Sequence, residues 1–137
     1  MLSVSEEITN KKTELTADEF EKIKEHTIAG ADYLKKINKD KNKNEYLEMA
    51  IDIAKYHHEN WDGTGYPEGI SGTDIPLSAR IVAVIDTYMA LNSDRSYRGA
   101  YTREESLFIM KSEAGKRFDP SIIDIFCKIQ KQLQCGD

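Results

Sequence analysis

From Phe20 the apolar positions recur at spacings of three and four: Phe20, Ile23, Thr27, Ala31 and Leu34. That period places them on one face of a helix and excludes a strand, whose faces alternate every second residue. The segment opens on "LTADEF", where Thr16 precedes Glu19 by three residues. This is the pattern of a capping box, in which each side chain satisfies the other's free backbone N–H. The spacing predicts a first helix over about Ala17 to Ile37. The Asn-rich segment Asn38 to Asn44 breaks it, and reads as a solvated loop.

The same period returns in Leu47, Ile51, Ala54, His58 and Trp61, predicting a second helix over about Glu45 to Glu59. Gly63, Gly65, Pro67, Gly69 and Gly72 then forbid regular structure until Pro76. Pro76 starts a third helix over Leu77 to Asn92, apolar nearly all round and expected to be buried on most of its surface. Helices over Arg103 to Glu113 and Pro120 to Leu133, separated by the turn "GKRFDP", complete an all-α domain of about five helices. Residues 1–16 lack periodicity and read as an arm, so the helical core is 17–134 of a single 1–137 domain.

Charge excludes some functions. The chain carries 19 Lys and Arg against 24 Asp and Glu, a net charge of -5. A polymeric nucleic acid needs a basic surface, so none is expected as a partner. A local basic pocket for a small phosphorylated ligand stays compatible with this balance. No apolar run is long enough to span a membrane, and no export signal is visible, so a cytoplasmic location is expected. Cys127 and Cys135 fit no disulfide or CxxC pattern and read as reduced thiols.

The polar residues on the apolar faces carry the chemistry. His58 sits within its helix's apolar stripe, His57 one step round, and His26 on the flank of the first stripe. Asp86 lies midway along the apolar third helix, where a carboxylate is costly unless a cation, donor or metal compensates it. All three histidines of the chain and one acid therefore point to the interior or its edge. Imidazole and carboxylate together suit a divalent transition metal: zinc, iron, manganese or nickel. Tyr66, in the glycine-rich loop with Gly65 and Pro67, offers a face on which a base could stack. Its packing as a hydrophobic plug is an equal alternative. Arg95 and Arg98, with Asn92 and Ser93 beside them, suit a phosphate or a guanine edge.

The stretch "HHENWDGTGYPEGISGTDIPLSARIVAVIDTYMALNSDRSYR", His57 to Arg98, resembles the core signature of the HD-GYP family. "LTADEFEKIKEHTIAGADYL" and "GKRFDPSIIDIF" extend the likeness across almost the whole chain. Members are helical, metal-dependent phosphodiesterases that hydrolyse the messenger cyclic di-GMP. The resemblance implies His26, His57, His58 and Asp86 as metal ligands. It implies Gly65, Tyr66, Pro67, Asn92, Arg95 and Arg98 as the dinucleotide-binding set. The family is named for an upstream His-Asp pair, and this chain contains no His-Asp dipeptide. Met89 stands where the family repeats an acid. The expectations are a partial domain without its N-terminal helices, one metal per chain in place of two or three, and weak or absent turnover by this polypeptide alone. No catalytic base or nucleophile is assigned. The alternative is a non-catalytic module that binds a cyclic dinucleotide or a protein. Apolar surface left by the absent helices implies a homo-oligomer.

Overall fold

The computed structural model describes residues 14–39, 44–93 and 99–134. It holds five α-helices: α1 Ala17–Lys39, α2 Glu45–Tyr56, α3 Leu77–Asn92, α4 Arg103–Ser112 and α5 Pro120–Gln134. A single 3-10 turn, Gly72–Asp74, precedes α3. Among the described residues there is no strand, only an isolated bridge between Ala114 and Phe118 in the α4–α5 turn. The all-α class and the five predicted helices are therefore observed.

The helix starts follow local chemistry. Thr16 Oγ1 accepts from Glu19 N at 3.3 Å, while Glu19 Oε2 accepts from Thr16 N at 2.8 Å, which closes the predicted capping box. The same reciprocal pair, Thr102 with Glu105, opens α4, and Asn44 caps α2 through Tyr46 N at 2.9 Å. Such caps each contribute about 1 kcal/mol.

Helix α1 packs on α2, α2 on α3, and α3 on both α4 and α5, which also pack on each other. Val84 of α3, Met110 of α4, Phe118 of the turn, and Ile123 and Cys127 of α5 form the main core. Tyr88 meets Phe126 edge-on at 5.1 Å beside it. Full burial of side chains this size contributes about 1.5–3 kcal/mol each. Asp119, at the start of α5, is buried yet paired: its Oδ2 accepts from Arg80 Nη1 at 2.7 Å, and Oδ1 from Ser121 N at 2.9 Å. Arg80 also donates to Ile75 O, so one guanidinium ties α3, the loop before it and the α5 start together. Cys127 is a free, buried thiol, and Cys135 lies outside the described residues.

Two expectations are corrected. Helix α2 ends at Tyr56, three residues before the predicted Glu59. The chain tightens there, with Glu59 N donating three residues back to Tyr56 O at 3.0 Å, while the His57 Nδ1 donates to Ile53 O at 2.8 Å and reaches Ala54 O at 3.2 Å. The ring thus folds back on the last turn and reaches Ala54 O, one of the carbonyls left open at the helix end. Trp61 consequently sits in the following turn, under the Arg80 guanidinium, and not on the helix. Helix α3 is also less buried than its composition suggests. Ala79 and Val84 are buried, but Leu77, Ile81, Ile85 and Met89 are each at least 40% exposed. Asp86 belongs to this outward side and is exposed.

Candidate metal centre and dinucleotide pocket

Helix α1 carries His26, and the end of α2 carries His57 and His58. Packing of α1 on α2 brings the three imidazoles together: one ligand atom from each lies within 4.8 Å of the others. Ring centroids are 5.5 Å apart for His26 and His57, 5.1 Å for His26 and His58, and 4.1 Å for His57 and His58. His57 Nδ1 bonds Ile53 O, and His26 Nδ1 bonds Ile23 O. With Nδ1 as the donor in each, that tautomer leaves Nε2 as a free lone pair, the arrangement of a ligating histidine oriented by a backbone carbonyl. The donor set fits a divalent metal. Among the described residues no carboxylate joins this cluster.

The loop after α2 forms the wall beside the histidines. Tyr66 stacks on His58, with ring centroids 4.9 Å apart and planes 19° apart, and meets Phe20 of α1 edge-on at 6.0 Å. His58 is pushed down to about 3 by burial, reinforced by the charges of His57, His26 and Arg117. It is therefore neutral and available as a ligand at neutral pH. Burial raises the Tyr66 hydroxyl, against the pull of Arg117 and with help from Asp86. Asp86 thus acts electrostatically on the loop from α3 although it stands outside the imidazole cluster.

Close backbone approach holds this loop. A β-carbon on Gly65 would lie 2.4 Å from Asn60 N and 2.5 Å from His58 O, so only glycine fits. Tyr66 N donates to His58 O at 3.2 Å. Glu59, 3% exposed, accepts from Glu68 N at 2.7 Å and Gly69 N at 3.1 Å through one carboxylate oxygen. Its other oxygen, Oε2, is buried without a partner. Lys55 of α2 pairs with Glu68, and Tyr56 Oη donates to Glu68 Oε2 at 3.3 Å. The pairing with Glu68 raises Lys55 above its ordinary range and lowers Glu68.

A cavity of about 490 Å³ opens against this wall. Its lining includes Phe20, Lys24, His57, His58, Tyr66 and Arg117. Gly65 lines it too, whereas Pro67 faces α1 and a smaller cavity with Ile28 and Ala31. Asn92 closes the last turn of α3, donating to Tyr88 O at 2.7 Å. Arg95 and Arg98 lie outside the described residues. Sequence reading missed Glu59, Phe20, Lys24 and Arg117. Glu59 carried one signal, its place directly after the double histidine. The others sit on remote segments that only packing brings here.

A helical domain with a three-imidazole cluster and this loop is one class of protein. Residues 2–122 match the HD domain family, and the chain belongs to that family. Its Gly65-Tyr66-Pro67 segment makes it an HD domain of the HD-GYP type. A Thermotoga maritima protein named cyclic di-GMP phosphodiesterase is 36% identical over 132 residues, covering 96% of this chain and 34% of that protein. A Vibrio cholerae protein of the same name is 35% identical over 132 residues, covering 96% of this chain and 27% of its own length. The chain thus spans about a third or less of these curated relatives. Among solved structures, a cyclic GMP-AMP specific phosphodiesterase of Vibrio cholerae superposes with a TM-score of 0.65 at 20% identity, over 91% of this chain and 31% of that one, a likeness of fold. No described helix is long and apolar enough to cross a membrane.

Proposed function

We propose that the chain is a metal-dependent phosphodiesterase domain acting on a cyclic dinucleotide, cyclic di-GMP first. The observation that carries this reading is the three-imidazole cluster set directly against the Tyr66 wall of an open cavity. His26, His57 and His58 would hold a divalent metal of the iron, manganese, zinc or nickel type. Such a metal supplies a Lewis acid for the phosphoryl oxygen and lowers the pKa of water. Tyr66 presents the stacking face for a base, and His58 beneath it fixes the ring's orientation. Asp86, exposed on the α3 surface, is a further ligand that would join through rearrangement. Asn92, Arg95 and Arg98 complete the proposed dinucleotide set. The names of the relatives cover both cyclic di-GMP and cyclic GMP-AMP, so both are candidate substrates.

A second reading is a module that binds the dinucleotide without cleaving it. It is favoured by the described cluster, which offers three imidazoles and no carboxylate. That amounts to ligands for about one metal, not a binuclear pair. The outward stripe of Leu77, Ile81, Ile85 and Met89 supports self-association in either case.

Metal per chain by mass spectrometry, calorimetry with cyclic di-GMP, and chromatography of the products test these together. Near one metal per chain, lost in His57→Ala, with linear product formed, supports the enzyme. Metal and binding without product support the module. No metal and no binding overturn both.

A further inference from the structure

We propose that Arg117, assisted by Lys24, is the cationic contact for a phosphodiester group of the ligand in the Tyr66 cavity. This rests on the dinucleotide reading and names the part of the site that would receive the anion.

Both side chains line the cavity that holds His57, His58 and Tyr66, from opposite elements: Lys24 from α1 and Arg117 from the α4–α5 turn. They flank the proposed base platform. Lys24 Nζ lies 5.8 Å from the Tyr66 ring centroid and 4.9 Å from that of Phe20. The positive field of Arg117 reaches both the Tyr66 hydroxyl and the His58 ring. A base stacked on Tyr66 would carry its phosphates toward these two cations. In a chain of net charge -5, the cavity sets two cations against one carboxylate, Glu59, which is already engaged by the Glu68 and Gly69 amides.

Arg117 is also held in place while its charge is left open. Its carbonyl accepts from Trp61 N at 3.1 Å, and the Lys116 carbonyl accepts from Asp62 N at 2.8 Å. The turn is thereby laced to the very loop that carries Tyr66. Arg117 N donates to Glu113 O at 3.0 Å, and the guanidinium rests 5.3 Å over the Phe118 ring. The neighbouring arginine of the region, Arg80, is committed to Asp119 at 2.7 Å. No carboxylate among the described residues lies within ion-pair distance of Arg117. Lys24 does pair with Glu21 at 2.7 Å, an exposed contact that a phosphate can displace at little cost. A guanidinium fixed at its backbone and free at its fork is preorganised for two phosphate oxygens.

The experiment is calorimetry of the full chain with cyclic di-GMP at low and high salt, for wild type, Arg117→Gln, Arg117→Lys and Lys24→Gln. Arg117→Gln is expected to weaken binding about tenfold and flatten its salt dependence, with Arg117→Lys intermediate and Lys24→Gln milder. Metal content should stay at the wild-type value and the urea midpoint close to it, because the guanidinium is exposed and its one described contact with the core is the face of Phe118. Unchanged affinity and salt response in Arg117→Gln overturn the inference and leave the dinucleotide reading standing. Lost preference for cyclic di-GMP over cyclic di-AMP, with the salt response intact, also overturns it, since the contact would then be to a guanine edge. A wild-type chain that binds neither cyclic di-GMP nor cyclic GMP-AMP removes the dinucleotide reading itself.

Discussion

The Tyr66 ring lies on the His58 imidazole, 19° from parallel with centroids 4.9 Å apart, so the loop that would orient a base also covers a candidate ligand. The cover has a measurable consequence. Folded His58 resists protonation down to about 3, whereas the unfolded chain takes up the proton near 6.5. Below pH 6.5 the unfolded state therefore binds more protons, and stability falls as pH drops from about 6.5 toward 3. Urea midpoints of the metal-free protein should decline over that window. His58→Asn should flatten the decline, and Tyr66→Ala should reduce it by admitting water to the ring.

Gly65→Ala should be severely destabilising. Its new methyl would stand 2.4 to 2.6 Å from backbone atoms of His58, Glu59 and Asn60, none of which can swing aside. The expected loss is about 3 kcal/mol or more, read from the urea midpoint. Gly72→Ala is the contrast, because nothing stands within 4 Å of a β-carbon there. Its cost should be limited to the strain of φ +58.

Glu59→Ala leaves the Glu68 and Gly69 amides without their acceptor, and should cost about 2–3 kcal/mol. Glu59→Gln keeps an acceptor at the same atom and should recover most of that stability. If both variants fold but only Glu59→Gln retains dinucleotide binding, the acceptor at Oε1 is the useful group. If Glu59→Gln binds no better than Glu59→Ala, the unpartnered Oε2 has a role of its own.

Arg80→Ala strands the buried Asp119 carboxylate and should cost about 3–5 kcal/mol. Burial alone would raise Asp119. The hydrogen bonds from Ser121 and Arg80 outweigh it and hold the acid below its ordinary 3.8. The stabilisation is thus fully present above pH 3.8 and is lost as pH falls through the lower folded value. The acid limb of the stability curve should shift upward in Arg80→Ala, as measured by thermal unfolding between pH 2 and 5.

Much of this protein was legible in one dimension. Five helices were placed to within a few residues, the first two by the 3.6-residue period, which reflects which faces meet the core. The start of α1 followed from Thr16-x-x-Glu19, a contact between neighbours in sequence. The histidines and Gly65-Tyr66 were marked by residue chemistry and by the family signature, and the fold does bring them to one place. What escaped depended on distance or direction. The end of α2 is a tightened turn, Glu59 N bonding Tyr56 O with the His57 ring folded back beside it, which periodicity does not register. The outward side of α3 reads as core in sequence, since an apolar stripe looks the same whether or not a partner covers it. Asp86 followed that stripe to the surface. Arg117 and Lys24, 93 positions apart by number, share a cavity because the α4–α5 turn is hydrogen-bonded to the Tyr66 loop and α1 packs beside it. Local rules determine the helices and the candidate ligands. Which side chains face one another across the pocket is set by long-range packing, through backbone bonds between segments that no local pattern connects.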